Sequence, residues 1–389
     1  MTGLKVFVRQ ADRTTTGQIE NWSQITLVQR RNDAGRWTLV LVDPKEAAVL
    51  SPPTDSAGNI TEPRGVIIRR DGITLASGWC DTTPSIESEG ARRTWTFSGF
   101  DDTALMSDVT CWPKPASALS AQTDAYDVRT GPRSNRIRDY WIANAGTTRL
   151  SIPGAIGGSQ VNIGDSGTSR ARFDSLLSFA QKIAGKQVNF RVIQRDSDRQ
   201  LFLQQSAPRD LTLAVQFSPD VGTVKGWSYS ATAPTATRVV IGAGGEGTAR
   251  VFRQYVNTVA EAAWDGRKIE RFVDRRDLNP AESTFEAEIA EEGATFLAEN
   301  DGSSSFSIRI VDAPSCRYGV DFLVGDLVRA FPAPGVPVDD LVEEVTVTWQ
   351  SSGGESAEVW IGPKEDPEGR DARYDRDLRR RLRRLEGGR

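Results

Sequence analysis

Histidine is absent from this chain of 389 residues. Catalytic triads that use histidine, histidine proton shuttles and zinc sites with histidine ligands are therefore excluded. Carboxylate chemistry and metal sites built from oxygen ligands are left open by this absence.

Cysteine is scarce, and long apolar runs are missing. The three cysteines, Cys80, Cys111 and Cys316, are too scattered for a disulfide framework or a Cys-x-x-Cys metal site, so we expect buried thiols. No apolar stretch is long enough to span a bilayer, and the N-terminus lacks the features of a secretory signal. The sequence therefore predicts a protein that is made and folded in a cytoplasm.

An excess of positive charge is also missing, because the formal net charge is -4. This balance argues against a protein whose main task is to grip nucleic acid, while local basic patches stay possible. The length allows two or three domains with sizeable cores.

Short strands with regular turn signals fill the first hundred residues. Asp71-Gly72 is a strong two-residue hairpin signal between two strand-like runs. A short helix is predicted where Asp43 can cap, Pro44 suits the first helical position and Glu46 can complete a capping box. The whole pattern is typical of a small β-barrel or sandwich.

The middle of the chain mixes helices with strands. Helices are predicted over 134–144 and 173–184, the second with an apolar stripe and a stop at Gly185. Two strands follow, over 187–194 and 200–204. This order is typical of α+β structure.

From about residue 215 strand patterns dominate again. One interposed helix is expected to begin at Asn279-Pro280 and to weaken at Gly293. The predicted fold class is therefore α+β and β-dominated, with two β-barrel-like domains, an inserted α+β domain and a C-terminal helix. The predicted boundaries are 1–104, 105–214, 215–363 and 364–389.

A glycine-rich segment, Gly242 to Gly247, follows an apolar run and matches the dinucleotide-binding pattern G-x-G-x-x-G. Glu261 even follows the glycines at roughly the sequence separation expected of the acidic residue that binds the ribose. Dinucleotide binding needs a helix after the third glycine, whereas 248–256 alternates like a strand. A P-loop is excluded because no Gly-Lys-Ser/Thr is present. We therefore predict a hairpin turn without a ligand, and no cofactor.

Two aspartate pairs could carry chemistry. Asp101-Asp102 could serve glycoside hydrolysis, but we favour one carboxylate as a helix cap and the other near the helix's positive end. Asp196-Ser-Asp198 resembles the start of a calcium loop, yet it lacks the glycine and glutamate that follow, which favours a hairpin turn. Among ten tryptophans, Trp112 beside a proline is predicted to be exposed.

The last segment, from Asp371 to Leu385, is predicted to be a charged helix. Its acids come first and its arginines later, which suits the helix dipole. Four apolar side chains form a narrow seam that favours contact with a protein partner: Tyr374, Leu378, Leu382 and Leu385. The alternative is that the arginines grip DNA or an acidic membrane surface.

Four stretches in a fixed order resemble the minor tail proteins that form the tail-tip hub of long-tailed phages infecting actinobacteria. The resemblance covers about residues 1–362, and its motifs are Phe97-Ser-Gly99-Phe-Asp101-Asp102-Thr-Ala-Leu105 through Trp112-Pro113-Lys-Pro115; Thr130-Gly131-Pro132 with Tyr140-Trp-Ile-Ala-Asn144-Ala-Gly146 and Arg172-Phe-Asp-Ser-Leu176-Leu177; Val239 to Arg250 with Trp264 and Arg271-Phe-Val-Asp274; and Tyr318-Gly-Val-Asp321-Phe-Leu-Val-Gly325-Asp326. The chain departs from the family after the Asp-Asp helix, at Val109-Thr-Cys111-Trp112, where the family has an arginine and a small apolar residue.

The resemblance implies a structural protein of the virion, located at the tail tip. It implies a homotrimer whose two barrels per subunit form a ring of six, facing a sixfold tube on one side and a threefold tip on the other. The implied partners are the tube side of the tail, tip or fibre proteins, the tape measure and double-stranded DNA in transit. The alternative is a tail-associated cell-wall hydrolase, either a carboxylate-based glycosidase or a peptidase.

Overall fold

The computed structural model describes residues 3–89, 92–146, 156–195, 197–218, 224–310, 316–333 and 336–362. The first segment contains eight strands and one helix: β1 (Leu4–Arg9), β2 (Thr15–Ile19), β3 (Trp22–Arg30), β4 (Arg36–Leu41), α1 (Pro44–Leu50), β5 (Gly65–Arg70), β6 (Ile73–Trp79), β7 (Ser85–Glu89) and β8 (Arg92–Phe100). A 3₁₀ turn over Asp102–Met106 leads into the middle of the chain.

The middle segment contains two longer helices among short strands. Its elements are β9 (Thr110–Cys111), β10 (Asp127–Pro132), α2 (Arg133–Ala145), β11 (Ile156–Gly158), β12 (Ser166–Ala171), β13 (Asp174–Ser175), α3 (Leu176–Ala184), β14 (Asn189–Gln194) and β15 (Leu201–Ser206), with a 3₁₀ turn at Leu119–Ala121. The remaining elements are β16 (Gln216–Phe217), β17 (Val224–Thr232), β18 (Arg238–Gly242), a 3₁₀ turn at Gly247–Ala249, β19 (Phe252–Val256), α4 (Thr258–Ala263), β20 (Glu270–Asp274), α5 (Phe285–Glu299), β21 (Ser303–Ile310), β22 (Leu327–Ala333), β23 (Val336–Gln350) and β24 (Glu355–Ile361).

The largest sheet joins strands from the two ends of the described chain. Its main path runs β17-β21-β24-β23-β3-β4-β8-β7, and β22 with β16 branches from the first part of β23. Every neighbouring pair along this path is antiparallel. We call this eight-stranded path the main sheet. Its central pair, β3 with β23, aligns Arg30 with Glu344 and Gln24 with Gln350.

The main sheet buries one face and leaves the other polar, because side chains alternate along each strand. Ile25 and Leu27 of β3 and Trp37 and Leu39 of β4 are buried in the largest hydrophobic core. A second sheet of order β2-β1-β5-β6 contributes Val6, among others, to the same core. The first and last strands of the described chain therefore share one core.

Two glycines allow β6 to approach β8 closely. A Cβ atom at Gly78 would stand 2.0 Å from the carbonyl oxygen of Phe100, and one at Gly99 would stand 1.9 Å from that of Trp79. Real Cβ atoms do not tolerate such distances, so only glycine fits at either crossing point. Gly99 lies within the first motif of the family resemblance, and this close approach explains why glycine is needed at that position.

Two smaller cores lie in the rest of the chain. One packs α2 and α3 against β14 and β15, with Tyr140 and Trp141 fully buried. The other packs α5 against the three-stranded sheet β19-β18-β20, where Gly293 of α5 leaves room for the ring of Tyr255. The α+β, β-dominated class is confirmed. The division at residues 104, 214 and 363 stays a prediction.

Several predicted element bounds are wrong by a few residues. The helix expected at Asn279 begins at Phe285, because the Asn279 side chain caps Ala281 in a turn that precedes it, and the helix continues past Gly293 to Glu299. The helix expected from 173 begins at Leu176 after the short strand β13. These differences come from local turns that a periodicity argument does not resolve.

The capping prediction for α1 is half right. Asp43 accepts a hydrogen bond from the backbone N–H of Lys45 at 2.8 Å, as expected of a cap. Glu46 does not close a capping box. Its carboxylate accepts from the backbone N–H groups of Glu20 and Asn21 at 3.0 Å each, and so ties the helix to the turn before β3.

Candidate functional site

The solvent side of the main sheet is a candidate functional surface. We call it the polar face. One row crosses five adjacent strands with hydroxyl side chains only, and its strand register aligns Ser356, Thr348, Thr26, Thr38 and Ser98. The hydroxyls of Thr26 and Thr348 lie 3.3 Å apart. The row is short-chained, polar and uncharged.

One ion pair on the polar face joins β3 to β23. Arg30 Nε lies 2.8 Å from the Glu344 carboxylate, and these two residues face each other across β3 and β23. Glu358 accepts a hydrogen bond from the Ser307 hydroxyl at 3.4 Å. The polar face therefore carries a row of uncharged hydroxyl groups beside an ion pair.

Asp101 caps the 3₁₀ turn, as predicted. Its carboxylate accepts from the backbone N–H of Thr103 at 3.0 Å. Burial raises the pKa of Asp101 to about 7, and the neighbouring charge of Asp102 acts in the same direction. The carboxyl is thus close to half-protonated at neutral pH.

Asp102 is the buried partner of Arg9 and is not available for chemistry. Its two carboxylate oxygens accept from the Arg9 guanidinium at 2.6 and 2.8 Å, and both side chains are fully buried. The Ser77 hydroxyl donates to the same carboxylate at 2.5 Å. The pair Asp101-Asp102 is therefore a cap and an ion pair, so the glycosidase arrangement considered for it is wrong.

The ion pair belongs to a polar junction between the first and middle segments. Gln194, at the end of β14, accepts from Arg9 at 3.3 Å and donates to the carbonyl oxygen of Arg13 at 2.8 Å. Its backbone N–H donates to the Ser77 hydroxyl at 2.8 Å. The junction fixes β14 against β1 and β6 through directional bonds that a purely apolar contact would lack.

A cleft of about 290 Å³ lies where three segments of the chain meet. Its lining includes Gln29 and Asp101 from the first segment, Arg191 from the middle and Tyr318 from the last. The Tyr318 hydroxyl donates to Gln29, and Arg191 donates to the carbonyl oxygen of Leu75 at 3.1 Å. Burial lowers the pKa of Arg191 and raises that of Tyr318. These groups are held by neighbours and serve the junction.

The glycine-rich segment forms the turn of a hairpin, as predicted. β18 pairs antiparallel with β19, and a short 3₁₀ turn stands where a nucleotide-binding fold would have a helix. The Arg250 guanidinium donates to the carbonyl oxygens of Gly242 at 2.9 Å and Ala243 at 3.0 Å. Glu261, at the distance of a ribose ligand, is instead bound to Arg238 at 2.5 Å. The absence of a cofactor stays a prediction.

The second aspartate pair also lies in a turn. Asp198 accepts from Arg195 at 3.0 Å and from the backbone N–H of Gln200 at 3.2 Å, between β14 and β15. Its companion Asp196 lies outside the described residues. The hairpin is confirmed by the antiparallel pairing of its two strands. Across the described ranges, no group of three or more acidic or cysteine side chains could hold a metal ion.

The predicted buried thiols are confirmed. Cys80, Cys111 and Cys316 are all buried and none forms a disulfide. Burial raises the pKa of Cys80 to about 12, so its thiol stays protonated at neutral pH. In the parts of the chain that are described, no helix combines the length and apolarity needed to cross a bilayer.

The prediction that Trp112 is exposed is wrong. Trp112 is half-buried and packs edge-to-face on Phe173, with ring centroids 5.9 Å apart. The more exposed tryptophans are Trp227 at 47% and Trp264 at 41%. Trp227 and Tyr229 lie on the same side of β17, in a sequence pattern that is typical of any strand. The sequence therefore did not indicate that β17 is an edge strand, which follows only from the order of strands in the sheet. The seam residues Tyr374, Leu378, Leu382 and Leu385 lie outside the described residues.

Comparison with solved structures finds phage tail proteins of the same fold. The 43 kDa tail protein of prophage MuSo2 from Shewanella oneidensis has a TM-score of 0.56 and 13% identity, covering 92% of this chain and 98% of that one. A tail protein from Neisseria meningitidis MC58 has 0.56 and 12%, covering 93% and 97%. Prophage tail protein gp18 from Listeria monocytogenes EGD-e has 0.55 and 9%, covering 96% and 99%.

No curated protein matches the sequence. The family model described as Siphovirus ReqiPepy6 Gp37-like protein matches residues 5–363, which is most of the chain. The resemblance inferred from the sequence motifs is thereby confirmed at the level of phage tail proteins. The chain therefore belongs to the Siphovirus ReqiPepy6 Gp37-like protein family and is a component of the virion tail.

Proposed function

We propose that this tail protein is the structural hub of the tail tip, a homotrimeric ring that joins the tail tube to the receptor-binding apparatus and surrounds the path of the DNA. The observation that carries the proposal is the end-to-end match to phage tail proteins. The match covers 92–96% of this chain and 97–99% of the three proteins named above.

The composition of the main sheet supports a trimer that mates with a sixfold tube. Four of its strands, β3, β4, β8 and β7, come from the beginning of the chain, and four, β17, β21, β24 and β23, come from the end. Each subunit thus brings two four-stranded halves. Three subunits would bring six, which suits a sixfold tube on one side and a threefold tip on the other.

The polar face supports a role as the wall of the DNA path. Duplex DNA carries one charge per ~1.7 Å of its length, so a lysine- or arginine-rich wall would hold it by releasing counterions. The row from Ser356 to Ser98 instead presents hydroxyl groups, and the nearby Arg30 is paired with Glu344. This row contains no basic side chain that would hold phosphates.

The proposed role is mechanical and needs no chemistry. Asp102 is fully buried and bound to Arg9, and Asp101 caps a turn, which leaves the alternative of a cell-wall glycosidase without its carboxylate pair. The proposed partners are the tube-side tail protein, tip or fibre proteins, the tape measure and DNA in transit.

Two measurements on the purified full chain test the proposal. Mass photometry or light scattering is expected to give three times the 42.6 kDa of the chain. A zymogram on host cell walls is expected to show no clearing. A monomer at all concentrations would remove the ring, and clearing would favour the hydrolase. A cryo-electron microscopy map of the tail tip then locates the trimer in the particle.

A further inference from the structure

The chain between β17 and β21 forms a unit of its own. The two strands pair antiparallel up to Thr232 and Ser303, so residues 233–302 leave the main sheet and return to it at one point. They contain the sheet β19-β18-β20 and α5, with a core that includes Ile241 and Ile289. We call residues 233–302 the α5 unit and the β17–β21 pair its stem. A unit carried by one pair of strands needs a second contact to fix its orientation.

The second contact is made by α5 and the turn before it, which pack against the middle segment. Arg170 of β12 binds Glu282 and lies 2.9 Å from the Glu288 carboxylate. Lys182 of α3 lies 2.9 Å from the Glu292 carboxylate. Charged side chains thus join three elements of the middle segment to the α5 unit when the arginines of α2 are included.

Glu291 lies at the centre of this contact. Its carboxylate is 3.1 Å from Arg136 and 3.7 Å from Arg133, both on α2. It also lies over the backbone of β12, because a Cβ atom added at Gly167 would stand 2.3 Å from one of its oxygens. One acid of α5 therefore contacts two elements of the middle segment.

The charges of the contact are sorted by side. Among the described residues, all five ion pairs between the two parts have their cation on the middle segment and their acid on the α5 unit. The cations are Arg133, Arg136, Arg170 and Lys182, and the acids are Glu282, Glu288, Glu291 and Glu292. We call these five ion pairs the clasp. Its two surfaces attract each other strongly only while both charges are unscreened.

The apolar cores do not merge across the clasp. Within the described ranges, the core of the α5 unit and the core around α2 and α3 share no residue, although Leu278 of the first and Ile183 of the second line the same cleft. This cleft measures about 70 Å³, which is room for a few water molecules. Water also reaches the clasp itself, since the Lys182 and Glu291 side chains are 41% and 25% exposed.

Salt should therefore weaken this contact selectively. The screening length falls from about 10 Å at 0.1 M salt to about 3 Å at 1 M, and ion pairs that water reaches lose most of their attraction. The stem is held by backbone hydrogen bonds and the two cores by apolar burial, neither of which is screened in this way.

We infer that the α5 unit has two positions, a closed one held by the clasp and an open one reached by swinging about the stem. The main sheet and the core of the unit stay intact in both. Opening exposes a basic surface on α2, α3 and β12 and an acidic surface on α5, both of which the closed position hides. Because the clasp lies within one chain, this device does not depend on the proposed trimer.

Distances between two spin labels on the full chain test the inference. One label is attached through Ser178→Cys in α3 and the other through Ala287→Cys in α5, both at exposed positions, while the three native cysteines are buried. Labelled chain is diluted with unlabelled chain, so that distances within one copy are measured. Between 0.1 M and 1 M NaCl, the population of a second, longer distance is expected to rise about tenfold. The control pair, Val259→Cys with Ala287→Cys, lies within the α5 unit and should keep one distance.

A matched pair of variants opens or keeps the clasp without added salt. Glu291→Gln removes the acid that binds Arg133 and Arg136, and it is expected to show the longer distance already at 0.1 M NaCl. Glu286→Gln is the control, because it lies on the same helix and its partner Arg253 belongs to the α5 unit itself. A single distance in high salt and in Glu291→Gln would overturn the inference, and so would equal effects of the two glutamines. Broadening of the control distance would also overturn it, since the unit would then unfold instead of swinging.

Discussion

At the scale of single residues, ionisation of the Asp101 carboxyl makes the free energy of unfolding depend on pH. Burial raises the pKa of its carboxyl from an ordinary 3.8 to about 7. A group whose pKa is higher in the folded state binds more protons there, so the stability it contributes is full below about pH 4 and is lost as the pH rises through 7. Neutral and mildly alkaline conditions therefore weaken the fold at this position.

Asp101→Asn should remove this dependence, because the amide cannot ionise and its oxygen can still accept from Thr103. Relative to the wild type, we expect the free energy of unfolding of the variant to improve by about 2 kcal/mol between pH 5 and pH 7. Urea unfolding at the two pH values measures this difference. A variant whose difference from the wild type is the same at both values would contradict the assignment.

A methyl group added at Gly99 should destabilise the fold. An added Cβ would stand 1.9 Å from the carbonyl oxygen of Trp79 and 2.7 Å from the ring of Trp37. We expect Gly99→Ala to lower the free energy of unfolding by about 2 kcal/mol or more, since overpacking displaces backbone. Gly17→Ala is the control, because no atom lies within 4 Å of its added Cβ. Similar urea midpoints for the two variants would show that the β6–β8 crossing can relax.

At the scale of elements, the Arg9–Asp102 pair holds β1 to the turn after β8. Asp102→Ala leaves the Arg9 guanidinium buried without its counter-charge, and we expect a loss of about 3–5 kcal/mol in the free energy of unfolding. Asp139→Ala breaks the more exposed pair with Arg138 and should change stability by less than about 1 kcal/mol. Chemical denaturation of both variants decides whether the buried pair is needed for the junction.

The β18–β19 hairpin is expected to bind no nucleotide. Its turn is held by Arg250 and is followed by a strand, so backbone N–H groups do not converge on a phosphate. NAD, FAD and ATP should leave the melting temperature unchanged. A ligand that binds only the folded state must stabilise it, so a shift of several degrees at millimolar ligand would contradict the interpretation.

Elements could be predicted from the sequence where the signal is local. The Asp71-Gly72 hairpin, the Asp43 cap and the stop at Gly185 all depend on residues a few positions apart, and all three are confirmed. The role of Glu46 could not be predicted, because its hydrogen-bond partner is Asn21 on another element. Local chemistry defines where strands and helices are, and long-range contacts decide what their polar groups bind.

The candidate site could be predicted from the sequence only in outline. Motif order indicated the family, yet no local pattern indicates that Thr348 stands beside Thr26, since their pairing joins β23 to β3. The exposed edge at Trp227 and Tyr229 escaped prediction for the same reason. The alternation of polar and apolar residues along a strand indicates which residues share a face. The position of the strand within a sheet depends on partners far away in the sequence.

At the scale of the whole molecule, the C-terminal seam is expected to serve assembly of the particle. The triple change Leu378→Ser, Leu382→Ser and Leu385→Ser removes apolar groups worth about 1.5–3 kcal/mol each if they are buried against a partner. We expect the variant to fold and to stay trimeric, while particles lose a tip partner or infect less well. Normal assembly and infection with this variant, or with residues 370–389 deleted, would make the seam dispensable.

The central β3–β23 pair also joins two strands that the ribosome makes at very different times. Its partners are separated by about 320 residues, since Gln24 pairs with Gln350 and Arg30 with Glu344. A ribosome adding about 5–20 residues per second needs roughly a quarter of a minute to a minute to cover that distance. Throughout this interval the β3 edge, with Ile25 and Leu27 on one side, has no native partner. We therefore expect the nascent chain to be prone to aggregation through this edge until β23 has been made.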